Sequence, residues 1–436
     1  MEIKPFKAFR FDETIVGGVG NCIAPPYDVI SPVQQEQFYG NSEYNIVRII
    51  KGKTAPSDNH EHNQYTRAAD YLNNWIEKGA LRQDAAETIY AYVQDFELAG
   101  SNLQRSSLIA LAKLEEFGKT VRPHERTLNE PRVDRLNLKK AASAQFGLVF
   151  MLYEDEQKTA DKIIERAAVQ KPLIDFVDEQ DVRHRLFSIM TKDDIDTIVK
   201  MMLDKHCIIA DGHHRYETAL SYYKETANPG AGYQMVGFAN THQDGLIILA
   251  AHRLVSNLKN FSFKKLIAAL KENFEITEYA FNSGRGKADT RQKVFAQMRA
   301  EYDAEKSAFG IYGGDSAFYV AVLKDRGAMD SVAPDMSHVW RSLDVSVLHK
   351  LILEGLLGIG EQQLAEGSNV EYIKGIGNAV EGSIQEVEAG RKQLMFFLNP
   401  TKMQQIQMVT AAGERMPQKS TFFYPKMYTG LTINKL

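Results

Sequence analysis

Short apolar runs suited to strands alternate with helix-spaced segments along the 436 residues, and this alternation constrains the fold more than any other feature. Residues 146–153 read as a buried strand and 160–169 as a helix that Thr159 caps. Residues 206–210 form a short apolar strand that runs through Asp211, Gly212, His213 and His214 into a helix over about 215–225. Such an order favours α/β or α+β, a mixed α/β class. The apolar runs at 148–153 and 246–251 fall far short of the ~20 residues a membrane helix needs. The N-terminal MEIKPFKAFRF carries cations without the apolar stretch of a secretory signal. With 52 basic and 56 acidic side chains the net charge is −4, which argues against a nucleic-acid partner. Cys22 and Cys207 stand in no metal-binding or disulfide spacing, so the expectation is a cytoplasmic protein with no membrane partner.

Three segments are read along the chain. In 1–105, the prolines of Ala24-Pro25-Pro26-Tyr27-Asp28-Val29-Ile30-Ser31-Pro32 enforce a fixed loop ending in a helix cap. A helix over 65–78 stops at Gly79, and strands at 88–93 and 107–112 are joined by a turn at Gly100-Ser101-Asn102. In 106–260, strands 234–240 and 246–250 are expected to pair through Asp244-Gly245. In 261–436, helices are read at 263–273, 290–304, 345–356 and 382–389, strands at 316–323 and 394–398, and a loop at 282–289.

Three constellations carry chemistry. A glycine between a strand and a helix lets backbone N–H groups face an anion, so Asp211-Gly212-His213-His214-Arg215 suits phosphate, with Asp211 placed for Mg²⁺ or a proton. In the plainer reading Asp211 caps the helix and the histidines are turn residues. In Arg122-Pro123-His124-Glu125-Arg126-Thr127 the proline sets a carboxylate at a strand exit, where Glu125 suits a general base; the alternative is a charged surface turn. Near the C-terminus, Lys419-Ser420-Thr421 offers one cation and two hydroxyls to a carboxylate or phosphate, and Phe422-Phe423-Tyr424 pack the core. Gly118-Lys119-Thr120 lacks the upstream glycine of a P-loop, and Gly375-Ile376-Gly377 lacks the third small residue of a dinucleotide loop.

Taken together and in this order, the Cys22–Ser31 run, Arg122-Pro123-His124-Glu125, Ala210-Asp211-Gly212-His213-His214-Arg215-Tyr216-Glu217 and the 416–426 run resemble the domain of unknown function 1015 family over nearly the whole chain. Three of the motifs are more remotely similar to those of free-serine kinases of the ParB/sulfiredoxin superfamily. That resemblance implies an α+β fold with a ParB/sulfiredoxin-like nucleotide-binding core at 106–260, an N-terminal segment at 1–105 carrying the Ala-Pro-Pro-Tyr-Asp loop, and a C-terminal region at 261–436 that returns Lys419–Thr421 to the site. It implies Glu125, Asp211 and His213 as catalytic residues and Gly212, His213, His214 and Arg215 as the phosphate site. Asp211 would hold Mg²⁺, and Lys419, Ser420 and Thr421 the amino acid or its phosphate. The Ala-Pro-Pro-Tyr-Asp loop has no counterpart in those kinases, and Tyr27 and Asp28 are expected to line the site.

The expected activity is a phosphotransferase interconverting free L-serine and O-phosphoserine, with ATP, ADP or pyrophosphate as donor or acceptor. A ParB-like nucleotide-binding regulator and a phosphoserine hydrolase are the rival readings. The regulator requires a helix-turn-helix and a basic face, and neither is evident.

Overall fold

The hairpin expected around residue 100 lies at the centre of a nine-stranded sheet. In a computed structural model, which describes all residues except 127, 128, 227 and 283, Ile89–Leu98 and Ser101–Lys113 pair antiparallel from Tyr90↔Ile109 to Leu98↔Ser101. The turn is Ala99-Gly100, just before the expected position. Both residues have positive φ, 51° and 78°, the two-residue geometry that follows the natural twist of a hairpin. Thr127, the last residue of the second constellation, lies outside the described residues.

The chain divides into two units. The first comprises Met1–Pro123, Thr127–Ile247 and Pro425–Leu436. Its sheet runs Val121–Pro123, Cys207–Asp211, Val149–Tyr153, Tyr233–Asn240, Ser101–Lys113, Ile89–Leu98, Arg183–Ile189, Ile174–Val177, with Ile3–Lys4 added on Ser101–Lys113. The sheet is mixed. Val121–Pro123 is parallel to Cys207–Asp211 and Tyr233–Asn240 to Val149–Tyr153, whereas the other pairings are antiparallel. Val149–Tyr153 is buried at every position, which is why its sequence reads as one continuous apolar run. Ile89, Val93, Leu108, Met151, Phe187 and Val236 contribute to the core of this unit.

The second unit comprises His124–Arg126 and Ile248–Tyr424. Its six-stranded sheet is antiparallel throughout, in the order Phe274–Ala280, Ala317–Leu323, Ala308–Tyr312, Leu394–Phe397, Ala251–Val255, Val370–Lys374. Val294 and Met298 of the long helix Gly284–Asp303 are buried in one core with Phe318, Val320, Met395 and Phe397.

Several expectations need correction. Tyr233–Asn240 does not pair with the strand after Asp244-Gly245, because both of its edges are already taken by Ser101–Lys113 and Val149–Tyr153. Ile247–Leu249 pairs with Phe422–Tyr424 instead. Residues 284–289, read as loop, are the start of the Gly284–Asp303 helix. Thr159 is the first residue of its helix, and Lys158 takes the cap position in left-handed conformation. A helix at Asn129–Ala142 went unread because its sequence is mostly polar and gives little apolar periodicity. The Ser31 cap is present as a full capping box with Gln34.

Candidate functional site

In the first unit the strand Cys207–Asp211 ends at Gly212 and the helix His213–Thr226 begins at once. Gly212 has φ +89°, a conformation that favours glycine. A Cβ there would lie 2.9 Å from Arg215 Nε, so the glycine also makes room for the arginine to fold back under the turn. Arg215 Nη2 donates to Asp211 Oδ2 at 2.6 Å, and Nη1 donates to the Leu148 carbonyl. Lys426 Nζ donates to Asp211 Oδ1 at 2.8 Å. Burial by itself would raise the Asp211 carboxyl, but Lys426 and Arg215 override it and hold that carboxyl well below the usual carboxylate range.

Asp211 therefore has one cation on each oxygen. Among the described ion pairs, two positive side chains face this one carboxylate, at the positive end of a 14-residue helix. These residues do not fit a Mg²⁺ ion held by Asp211, since a divalent cation would be the third positive group on one carboxylate. They suit an anion. His213 is buried as the first residue of the helix, and His214 beside it is partly exposed.

Lys426 is positioned by the central hairpin. Gln94 and Arg105 are cross-strand partners in the register. Arg105, fully buried, donates through Nη2 to the Gln94 side-chain oxygen and to the Pro425 carbonyl, while Gln94 Nε2 donates to the Lys426 carbonyl at 2.9 Å. The cross-strand pair thus fixes the backbone that carries the lysine.

In the second unit the chain leaving Pro123 enters His124 and Glu125. A parallel bridge joins Glu125 to Met416, and Met416 N–H donates to the His124 carbonyl at 2.8 Å. Lys419 N–H donates to Glu125 Oε1 at 2.9 Å, and the Lys419 carbonyl accepts from Arg253 Nη2 at 3.2 Å. Both backbone groups of Lys419 are thus held by charged side chains, at a φ of 55°. Arg253 is buried over the Tyr372 ring, 4.7 Å from its centroid; burial lowers its pKa to about 10 against the opposing pull of Tyr372 and Glu125. The Thr421 hydroxyl and His124 Nε2 are 2.8 Å apart.

The Lys-Ser-Thr run is docked on His124 and Glu125, but not as a row of open hydroxyls. Ser420 is buried and donates to the Pro417 carbonyl, and Thr421 is engaged by His124. Lys419 alone of the three is exposed.

The Ala-Pro-Pro-Tyr-Asp loop lines a recess in the first unit. Pro26, Tyr27, Ile50, Leu138 and Phe146 are among its walls, with Arg135, Lys139, Gln234 and Arg215 as charged and polar lining. The Arg135 guanidinium sits 3.9 Å from the Tyr27 ring centroid. Asp28 is exposed and is not among the lining residues.

With this geometry in place, comparison with known proteins assigns the chain. A family model described as Protein of unknown function (DUF1015) matches residues 3–346. The chain belongs to the DUF1015 family. No curated protein matches the sequence of this DUF1015 member. Similar solved structures include a free serine kinase mutant in complex with AMP, 11% identical, over 70% of this chain and 84% of that one at a TM-score of 0.35. A conserved hypothetical protein from Pyrococcus furiosus is 11% identical, over 71% and 89% at 0.34. SbnI with C-terminal truncation from Staphylococcus aureus is 10% identical, over 75% and 87% at 0.35.

The sequence of this DUF1015 chain pointed to Asp211, Arg215, Glu125 and Lys419 but not to Lys426, Arg135, Lys139 or Arg253. Lys426 ends the same 416–426 run as Lys419, and its place in that run is the signal that could have found it.

Proposed function

We propose that this protein is a cytoplasmic phosphotransferase that interconverts free serine and O-phosphoserine, with a nucleotide or pyrophosphate as the other phosphoryl partner. The observation that carries the reading is the Asp211–Arg215–Lys426 cluster, net positive and at a helix N-terminus, which is what a phosphate group requires. In this reading residues 106–260 form a ParB/sulfiredoxin-like core, 1–105 supply the Tyr27 loop, and 261–436 return Lys419–Thr421 to the substrate. No Asp211-bound metal takes part.

Phosphoryl transfer asks for positioned phosphates and an oriented nucleophile. Gly212, His213, His214 and Arg215 bind the transferring phosphate. Glu125 accepts the serine hydroxyl proton as the serine oxygen bonds to phosphorus; the bond from phosphorus to the leaving phosphate oxygen breaks, and the electron pair stays on that oxygen. Lys419, exposed beside the carboxylate, binds the amino-acid carboxylate or the product phosphate. Glu125 keeps its orientation through the Lys419 N–H.

The test is mass-spectrometric detection of phosphoserine after incubation of the protein with serine and ATP, ADP or pyrophosphate in turn. Phosphoserine formed with at least one donor supports the reading. Failure with all three, together with failure of phosphoserine to phosphorylate a nucleotide or phosphate, overturns it.

A further inference from the structure

The recess behind the Ala-Pro-Pro-Tyr-Asp loop has a chemistry that phosphate binding does not explain. Its Pro26, Ile50, Leu138 and Phe146 walls are apolar, and the stacked Tyr27–Arg135 pair adds a flat face. Deeper in, Lys139 is 7% exposed and donates to Gln234 Oε1 at 3.2 Å, and Gln234 Nε2 donates to the Met235 carbonyl at 3.0 Å. Burial lowers the Lys139 ammonium to about 7, so near neutrality the amine both donates and accepts hydrogen bonds. Arg215, which also donates to Asp211, is one of the lining residues.

A bare phosphate or pyrophosphate has no use for the apolar walls, and an acyl chain has no use for Lys139 and Gln234. A flat ring with hydrogen-bonding edge atoms, tethered to an anion, uses every part. We propose that this recess is a nucleobase subsite: the base lies against the Tyr27–Arg135 stack, Lys139 and Gln234 meet its edge, and its phosphates extend past Arg215 toward Asp211 and Lys426. The phosphoryl partner is then a nucleotide and not pyrophosphate. This rests on the phosphotransferase reading for the role of the phosphates, while binding of the base stands on the recess alone.

The test is calorimetric titration of the full chain with adenosine, guanosine, cytidine and uridine, their monophosphates, and pyrophosphate and tripolyphosphate as base-free probes. At least one nucleoside is expected to bind and to compete with its monophosphate, which binds at least about tenfold more tightly than pyrophosphate. Lys139→Met and, on the loop, Tyr27→Ala are expected to weaken nucleotide binding about tenfold or more and to leave tripolyphosphate affinity within about twofold. Circular dichroism checks that each variant is folded, and Tyr27→Ala carries the test if Lys139→Met is not. Failure of all four nucleosides to bind, or equal affinity for nucleotides and base-free anions, overturns the subsite. Serine phosphorylation from pyrophosphate without nucleoside binding would remove the subsite and keep the phosphotransferase; nucleoside binding without any phosphoryl transfer would do the reverse.

Discussion

Lys426 reaches back 215 residues to Asp211 and shares that carboxylate with Arg215. The pairing gives a carboxylate that reads as a metal ligand in the sequence two side-chain cations as its partners.

Lys426→Met removes one of the two cations and keeps the chain length. Affinity for tripolyphosphate is expected to fall on the order of tenfold or more, as a charge-assisted contact is lost. Calorimetric titration of both proteins measures it; equal affinity would place the anion elsewhere.

Asp211→Asn leaves Lys426 and Arg215 without their shared anion. Breaking a largely buried charge cluster from one side costs on the order of 3–5 kcal/mol, so the urea midpoint should fall clearly. The magnesium dependence of any phosphoryl transfer is expected to stay as in the wild type. A sharply raised magnesium requirement would return a metal to Asp211.

Gly212→Ala forces a Cβ against Arg215 at a φ of +89°. The strain is of order 1–3 kcal/mol, with a lowered melting temperature and weakened anion binding as its two readouts. A variant that melts and binds like the wild type would contradict the described turn.

The hairpin and most strands were legible because their apolar runs are local and continuous, as in Val149–Tyr153. Glu125 and Asp211 were legible because each sits in a compact polar motif beside a strand end. Lys426, Arg253 and Lys139 were not, because their roles arise from contacts across long stretches of chain: Arg253 with the Lys419 carbonyl 166 residues on, Lys139 with Gln234 95 residues on. A lysine in a polar helix reads as solvated until its surroundings are known. The pairing of Ile247–Leu249 with Phe422–Tyr424 was hidden for the same reason, since nothing near Asp244-Gly245 announces a partner so far downstream.

Lys139 also sets a pH dependence. Its ammonium is pushed from 10.5 down to about 7 by burial, so the unfolded chain binds the extra proton between those values. Stability from this group therefore rises with pH from about 7 to about 10.5, at up to about 1.4 kcal/mol per pH unit, and is lowest below pH 7, where the buried amine must carry its charge. Urea titrations at pH 7.5 and 9.5 should show a gain in the wild type that is smaller in Lys139→Met; the same gain in both proteins would mean that Lys139 titrates normally.

Phosphorus NMR of the purified protein with serine, magnesium and one donor at a time, repeated from phosphoserine with nucleoside diphosphate or phosphate, tests the central claim most directly. A phosphoserine resonance is expected to grow as the donor signals decline, and Glu125→Gln is expected to slow it by a factor on the order of 10² or more with nucleotide affinity nearly unchanged. No exchange in either direction, or undiminished exchange in Glu125→Gln, would contradict the account.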